Sequence, residues 1–206
     1  MPRVDDLSYT KSLALFMPGD VADISGLPPN LQRVWRRRGQ IAPVEGTRAR
    51  FTALEAAELM LRYEVSKAGV SPGESEDLGK LAGPLILYHA LLDGDGAVEV
   101  TGPREHVEHF LAQFAEDTTL PMALAAVTEV KRFLFRADGG DFIVTDELQS
   151  LSSAESPLSG YFLDLEVAGR RLSDRAGRPL LSVELHAPQA TSPKVRRLTH
   201  PSTPRP

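Results

Sequence analysis

Residues 23–43 read DISGLPPNLQRVWRRRGQIAP. The punctuation of this stretch is that of two short helices joined by a tight turn. Just upstream, residues 18–25 (PGDVADIS) suit a helix, with Pro18 in the first turn and Val21 and Ile24 three apart on one face. Gly26 is a natural stop, because glycine enters the left-handed region that ends a helix without steric cost. Pro28 and Pro29 mark a turn and a new helix start. Leu31, Val34 and Trp35 follow at helical spacing, and Gly39 closes the second helix.

The second helix and the segment after it hold an unusual amount of positive charge. Six arginines fall between residues 31 and 50, in a chain of formal net charge -5. Residues 26–70 carry about +4, residues 71–166 about -13 and residues 167–206 about +6. That asymmetry fits a basic module that meets an anion, attached to an acidic body. Arg33, Arg36 and Arg37 share one helix face by the i, i+3, i+4 rule. Residues 40–51 read as an extended excursion in which Arg48 and Arg50 alternate onto one side. Guanidinium groups grip guanine edges in a bidentate manner and phosphates in a salt-dependent one. Asn30, at the helix start, is placed where open backbone amides attract phosphate. The candidate DNA-binding residues are therefore Asn30, Arg33, Arg36, Arg37, Arg48 and Arg50, and the expected partner is double-stranded DNA.

The rest of the chain extends the pattern. Thr52 and Glu55 have capping-box spacing, and Leu54, Ala57, Leu61, Val65 and Ala68 give the following helix one apolar face, ended by Gly69. Residues 72–76 (PGESE) read as a boundary. Residues 77–92 are apolar on nearly every side, and Gly83-Pro84 is expected to break or kink that helix. A strand at 97–101 and a helix from Pro103, with Val107, Phe110, Leu111 and Phe114 on one face, come next. Residues 130–136 and 141–145 flank ADGG as one hairpin. Residues 161–167 and 180–185 flank GRRLSDRAGRP as a second hairpin with a long loop, after a polar connector at 150–159. The expected fold class is α+β: an arm at 1–15, a winged helix-turn-helix at 16–71, a mixed C-terminal domain with antiparallel hairpins at 77–186, and a disordered tail at 187–206.

Residues 16–71 resemble the DNA-binding domain of the MerR-type winged-helix regulators. The order DISGLPPNLQRVWRRRGQIAP, then GTRARFT, then ALEAAELMLRYEVSKAGVS follows that family's helix, turn, recognition helix, wing and long helix. Ser25-Gly26, Pro29, Arg33, Trp35, Arg38-Gly39, Pro43, Arg48, Arg50-Phe51-Thr52 and Gly69 fall at matching places. The resemblance implies that Arg33 contacts base or phosphate, that Trp35 packs the helix against the wing, and that Arg48 and Arg50 grip backbone. Four positions depart from it: Val34 replaces a tyrosine, Arg36 an acid, Gln32 a core leucine, and Met17 a capping threonine. The family's long dimerising coiled coil has no counterpart after residue 71.

Other chemistry is thin. Cysteine is absent, which removes disulfides, thiolate metal sites and cysteine nucleophiles. His106 and His109 in EHVEH are a metal pair in spacing only, without a third ligand, and DGDGAVE (93–99) lacks the ligand and glycine that a calcium loop needs at its fifth and sixth places. No nucleophile elbow, phosphate loop or dinucleotide fingerprint occurs. The expectation is a cytoplasmic, non-enzymatic transcriptional regulator that needs no cofactor and spans no membrane. It is expected to act as a homodimer, with a small effector or a partner protein at its C-terminal domain. The alternatives are a phage-type DNA-recognition and assembly subunit, or a protein-interaction module that has left DNA behind.

Overall fold

A computed structural model describes residues 8–42, 49–137, 140–147 and 160–186. Arg48, Pro43 and Gly46 of the basic segment, the 150–159 connector and the 187–206 tail lie outside the described residues. In chain order the elements are β1 (Tyr9–Leu13), β2 (Leu15–Phe16), α1 (Pro18–Ser25), α2 (Pro29–Arg37), β3 (Phe51–Thr52), α3 (Ala53–Lys67), α4 (Ser75–Asp93), β4 (Val98–Thr101), α5 (Arg104–Glu116), α6 (Thr119–Ala125), β5 (Phe133–Ala137), β6 (Phe142–Thr145), β7 (Gly160–Asp164), α7 (Leu165–Ala176) and β8 (Leu181–Leu185). The class is α+β.

The first helices start and stop where the sequence places them. Met17 has no capping side chain, and Asp20 takes over by accepting from its amide at 2.9 Å. Gly26 and Gly39 follow α1 and α2 with φ of 78° and 71°, the left-handed conformation that a Cβ disfavours. Ser25 ties the intervening turn: its hydroxyl donates to the Val21 carbonyl and accepts from the Leu27 amide. The Thr52–Glu55 capping box forms as read, with the Glu55 amide on Thr52 Oγ1 and Glu55 Oε2 on the Thr52 amide.

Helix α4 is the axle of the molecule, with α3 against one side and α7 against another. Of the break or kink expected at Gly83-Pro84, the break does not occur, and the helix continues through Pro84. Proline removes only its own amide bond to the carbonyl four residues back. That carbonyl belongs to Lys80, an exposed residue, while burial of Ala82, Leu85, Ile86 and Leu87 holds the rest in place.

The strands form three sheets among the described residues. In the first, β8 pairs antiparallel with β1 and parallel with β4. The second is a two-stranded ribbon of β2 and β3, with Phe16 opposite Phe51. The third is antiparallel in the order β6-β5-β7. The β5–β6 hairpin is the one the sequence indicates.

Two further expectations are corrected. Residues 9–13, read within an N-terminal arm, are a strand, because Tyr9 and Leu13 pack onto the core while every residue of the segment pairs with β8. Residues 165–176, expected as strand over 165–167 and as hairpin loop over 169–176, are helix α7, so β7 and β8 belong to different sheets. Asp164 caps α7 by accepting from the amides of Glu166 and Val167. Leu165, Ala168, Gly169 and Leu172 then supply a buried face.

Residues 72–74 of the PGESE boundary are a tight turn, and Ser75 and Glu76 already belong to α4. Ser71 and Glu74 bond reciprocally across the turn, each side chain accepting from the other's amide, and Val70 and Ser75 on either side of it are buried. One apolar cluster, from Phe16 to Leu185, runs across it.

Candidate nucleic-acid interface

The basic segment is built around the inner face of α2. Trp35 and Gln32, one turn apart, are the buried residues of this helix. Gln32 Nε2 donates to the carbonyls of Pro18 and Leu27, at 2.9 Å each, and so bolts α2 to the start of α1 and to the turn. Trp35 lies under the guanidinium of Arg62 from α3, 5.3 Å from the ring centroid. Arg62 is itself buried and donates to the Pro72 carbonyl at 2.9 Å. Burial pulls its pKa below the ordinary arginine value, opposed by Glu76 and Glu58. Glu58 is shifted the other way, upward, by its own burial and then by Glu55. Neither residue stands out by periodicity. Spacing puts both Leu31 and Gln32 on the face of Trp35, four and three residues away, and the structure buries Gln32 the more deeply.

With Gln32 and Trp35 turned inward, the opposite side of α2 carries the arginines. Asn30, Arg33, Arg37, Arg38 and Arg50 are exposed. Arg33 and Arg37 are one turn apart, and Arg38 stands at the helix end beside Gly39. Arg36, expected alongside Arg33 and Arg37, is half-buried and engaged within the fold. Its Nε donates to the Ala42 carbonyl at 3.3 Å, and its guanidinium lies 5.4 Å from the Phe51 ring centroid. Arg36 thereby holds the ribbon against the helix. Pro28 and Pro29 bring no amide donor, so the donors at the start of α2 are the amides of Asn30 and Leu31.

Half of the cations elsewhere among the described residues are paired with carboxylates. Lys67, Lys80, Arg104, Lys131, Arg132 and Arg170 each lie within 4.0 Å of a carboxylate oxygen. Among the described residues no carboxylate pairs with Arg33, Arg36, Arg37, Arg38 or Arg50. Part of the clustering serves the helix itself, since cations in the last turn of α2 complement its dipole. That accounts for Arg36, Arg37 and Arg38 but not for Arg33 in the middle of the helix or Arg50 on the ribbon.

Helix α7 braces the segment from behind. Arg175 Nη1 donates to the Ile24 carbonyl at the end of α1, at 3.1 Å. Arg178 Nη2 donates to the Leu15 carbonyl, and its guanidinium lies 4.4 Å from the Phe16 ring centroid. Helix and ribbon are therefore both held by side chains from the far end of the sequence. Among the described residues no helix is long and apolar enough to cross a membrane. In comparison with known proteins, the chain matches no family model, and no curated protein matches it.

Proposed function

We propose that the protein is a sequence-specific DNA-binding transcriptional regulator whose N-terminal part acts as a winged helix-turn-helix. In this reading α2 is the recognition helix, lying in the major groove, and the segment between α2 and β3 is the wing. Arg33 reaches base edges or the adjoining phosphates, Arg37 and Arg38 follow the groove wall, and Arg48 and Arg50 grip the flanking backbone. Arg36 sets the angle between helix and wing. Asn30 and the open amides beside it meet a phosphate.

The observation that carries the reading is a cluster of exposed arginines, close in sequence and left without carboxylate partners, whereas six of the twelve other described lysines and arginines are paired. An acidic body behind such a face repels phosphate elsewhere and so orients the approach. One module of this size makes few contacts, so the protein binds as a homodimer on paired half-sites. The role is binding without catalysis, and it carries with it a cytoplasmic location.

Selection of bound sequences from a random duplex pool tests the reading. The wild-type chain enriches a motif. Arg33→Ala loses or relaxes that motif, with about 1–3 kcal/mol less discrimination at the affected base. Arg48→Ala weakens all sequences alike and lowers the salt slope by about one. Absence of enrichment at low salt would overturn the proposal.

A further inference from the structure

Between α3, α4 and the β7–α7 corner lies a cavity of about 190 Å³. Met60 and Ile86 line its inner wall. Phe162 and Val167 stand at its edge, 46% and 37% exposed, which is unusual for side chains so apolar. Four charged residues also border it: Glu64, Asp164, Arg171 and Arg175.

The two carboxylates are already engaged. Glu64 lies 2.8 Å from Lys67 Nζ. Asp164 accepts from Arg132 at 2.8 Å and from the amides of Glu166 and Val167 at 3.0 and 3.2 Å. The two guanidinium groups keep donors to spare. Arg171 has no hydrogen bond or ion pair among the described residues, and Arg175 donates once, to Ile24. What the cavity offers a ligand is an apolar slot with unused arginine donors at its rim.

We propose that this cavity binds a small organic monocarboxylate with an apolar body, its carboxylate on Arg171 and Arg175 and its hydrocarbon against Met60 and Ile86. Arginine meets a carboxylate through two parallel N–H···O bonds, a geometry that an alcohol of the same shape does not reproduce. The volume falls below the roughly 300–1,000 Å³ of sites for drug-sized ligands, which limits the body to a short chain or a single ring. The site does not depend on the DNA reading. If that reading holds, its ligand is an effector, because Arg175 also ties α7 to the end of α1.

The test uses the full chain without DNA, so its outcome is separate from that of the DNA selection. Hexanoate and phenylacetate are titrated at millimolar concentration, with hexan-1-ol and 2-phenylethanol as uncharged counterparts. Binding is read by calorimetry and by the shift in thermal midpoint. The carboxylates raise the midpoint, and the shift grows with the logarithm of concentration above Kd, whereas the alcohols do not raise it. Arg171→Ala weakens carboxylate binding about tenfold, the loss expected of a charge-assisted hydrogen bond. Arg171→Lys recovers part of it. Arg170→Ala leaves binding unchanged, since Arg170 points to Glu166 and does not line the cavity. Equal shifts from acid and alcohol, no shift from either, or wild-type affinity in Arg171→Ala would each overturn the proposal.

Discussion

Gln32 donates from Nε2 to two backbone carbonyls, while its Oε1 is buried with no hydrogen-bond partner among the described residues. An amide is needed here because Pro18 and Leu27 both present acceptors, and only a donor can answer them. Gln32→Leu removes the two bonds but also the unpartnered oxygen, so the cost should be about 1–2 kcal/mol. Gln32→Glu keeps the shape and turns a carboxylate toward two carbonyl oxygens. It should cost about 2 kcal/mol more than the leucine variant at neutral pH. Urea unfolding of the two variants checks the order, and equal stability would show that Gln32 is not the donor that bolts α2 to α1. At this scale the sequence reveals which residues carry charge, but not which of those charges the fold uses internally. Arg33, Arg36 and Arg37 share a face by spacing alone. Only the nearby Phe51 ring and the Ala42 carbonyl separate Arg36 from the other two.

Elements whose boundaries rest on local chemistry are legible; those that rest on partners are not. α1, α2 and α3 announce themselves through Pro18, Gly26, Gly39 and the Thr52–Glu55 box, each acting within a few residues. α7 has comparable signals in Asp164 and Gly177, but its arginines and glycine imitate a loop. Its Gly169 faces α4 so closely that an added Cβ would lie 2.7 Å from the Ala90 amide nitrogen and from His89 Cβ. In an isolated helix glycine to alanine is stabilising by about 1 kcal/mol. In this crossing the sign reverses: Gly169→Ala should destabilise by about 1–3 kcal/mol, because backbone must move to admit the methyl group. Chemical denaturation decides the sign, and a stabilised variant would refute the close crossing. Pro84 in α4 teaches the same lesson in the opposite direction, since burial on the other faces keeps a helix that local rules would break.

Across the whole molecule, the apolar cluster passes through the turn at residues 71–74 without interruption. The separation at 72–76 into two parts rests on composition, and composition does not register that α3 and α7 both lie on α4. Unfolding should accordingly be a single event. The one tryptophan, Trp35, reports on α2 by fluorescence, and far-ultraviolet dichroism reports on all helices together. The two urea transitions are expected to coincide, and a fragment of residues 16–71 should show no cooperative transition of its own. Transitions that separate, or a fragment that folds, would instead show two parts that meet at 72–76. The same architecture explains why the basic face was easier to read than its support. Its arginines cluster in sequence, whereas Arg175 and Arg178 reach the Ile24 and Leu15 carbonyls beneath it from 151 and 163 positions away.

The pairing of Tyr9–Leu13 with Leu181–Leu185 sets a timetable for synthesis. A ribosome releases the first of these strands long before it makes the second. With 176 residues between Thr10 and His186, at roughly 5–20 residues per second, the interval is about ten to thirty-five seconds. Throughout that wait the nascent amino-terminal strand has no mate, and α1 lacks the brace that Arg175 will bring. The arginine-bearing surface is therefore finished only after Arg175 and Arg178 have been made. Stalled or prematurely terminated chains carry the positive charges but not the frame that aims them.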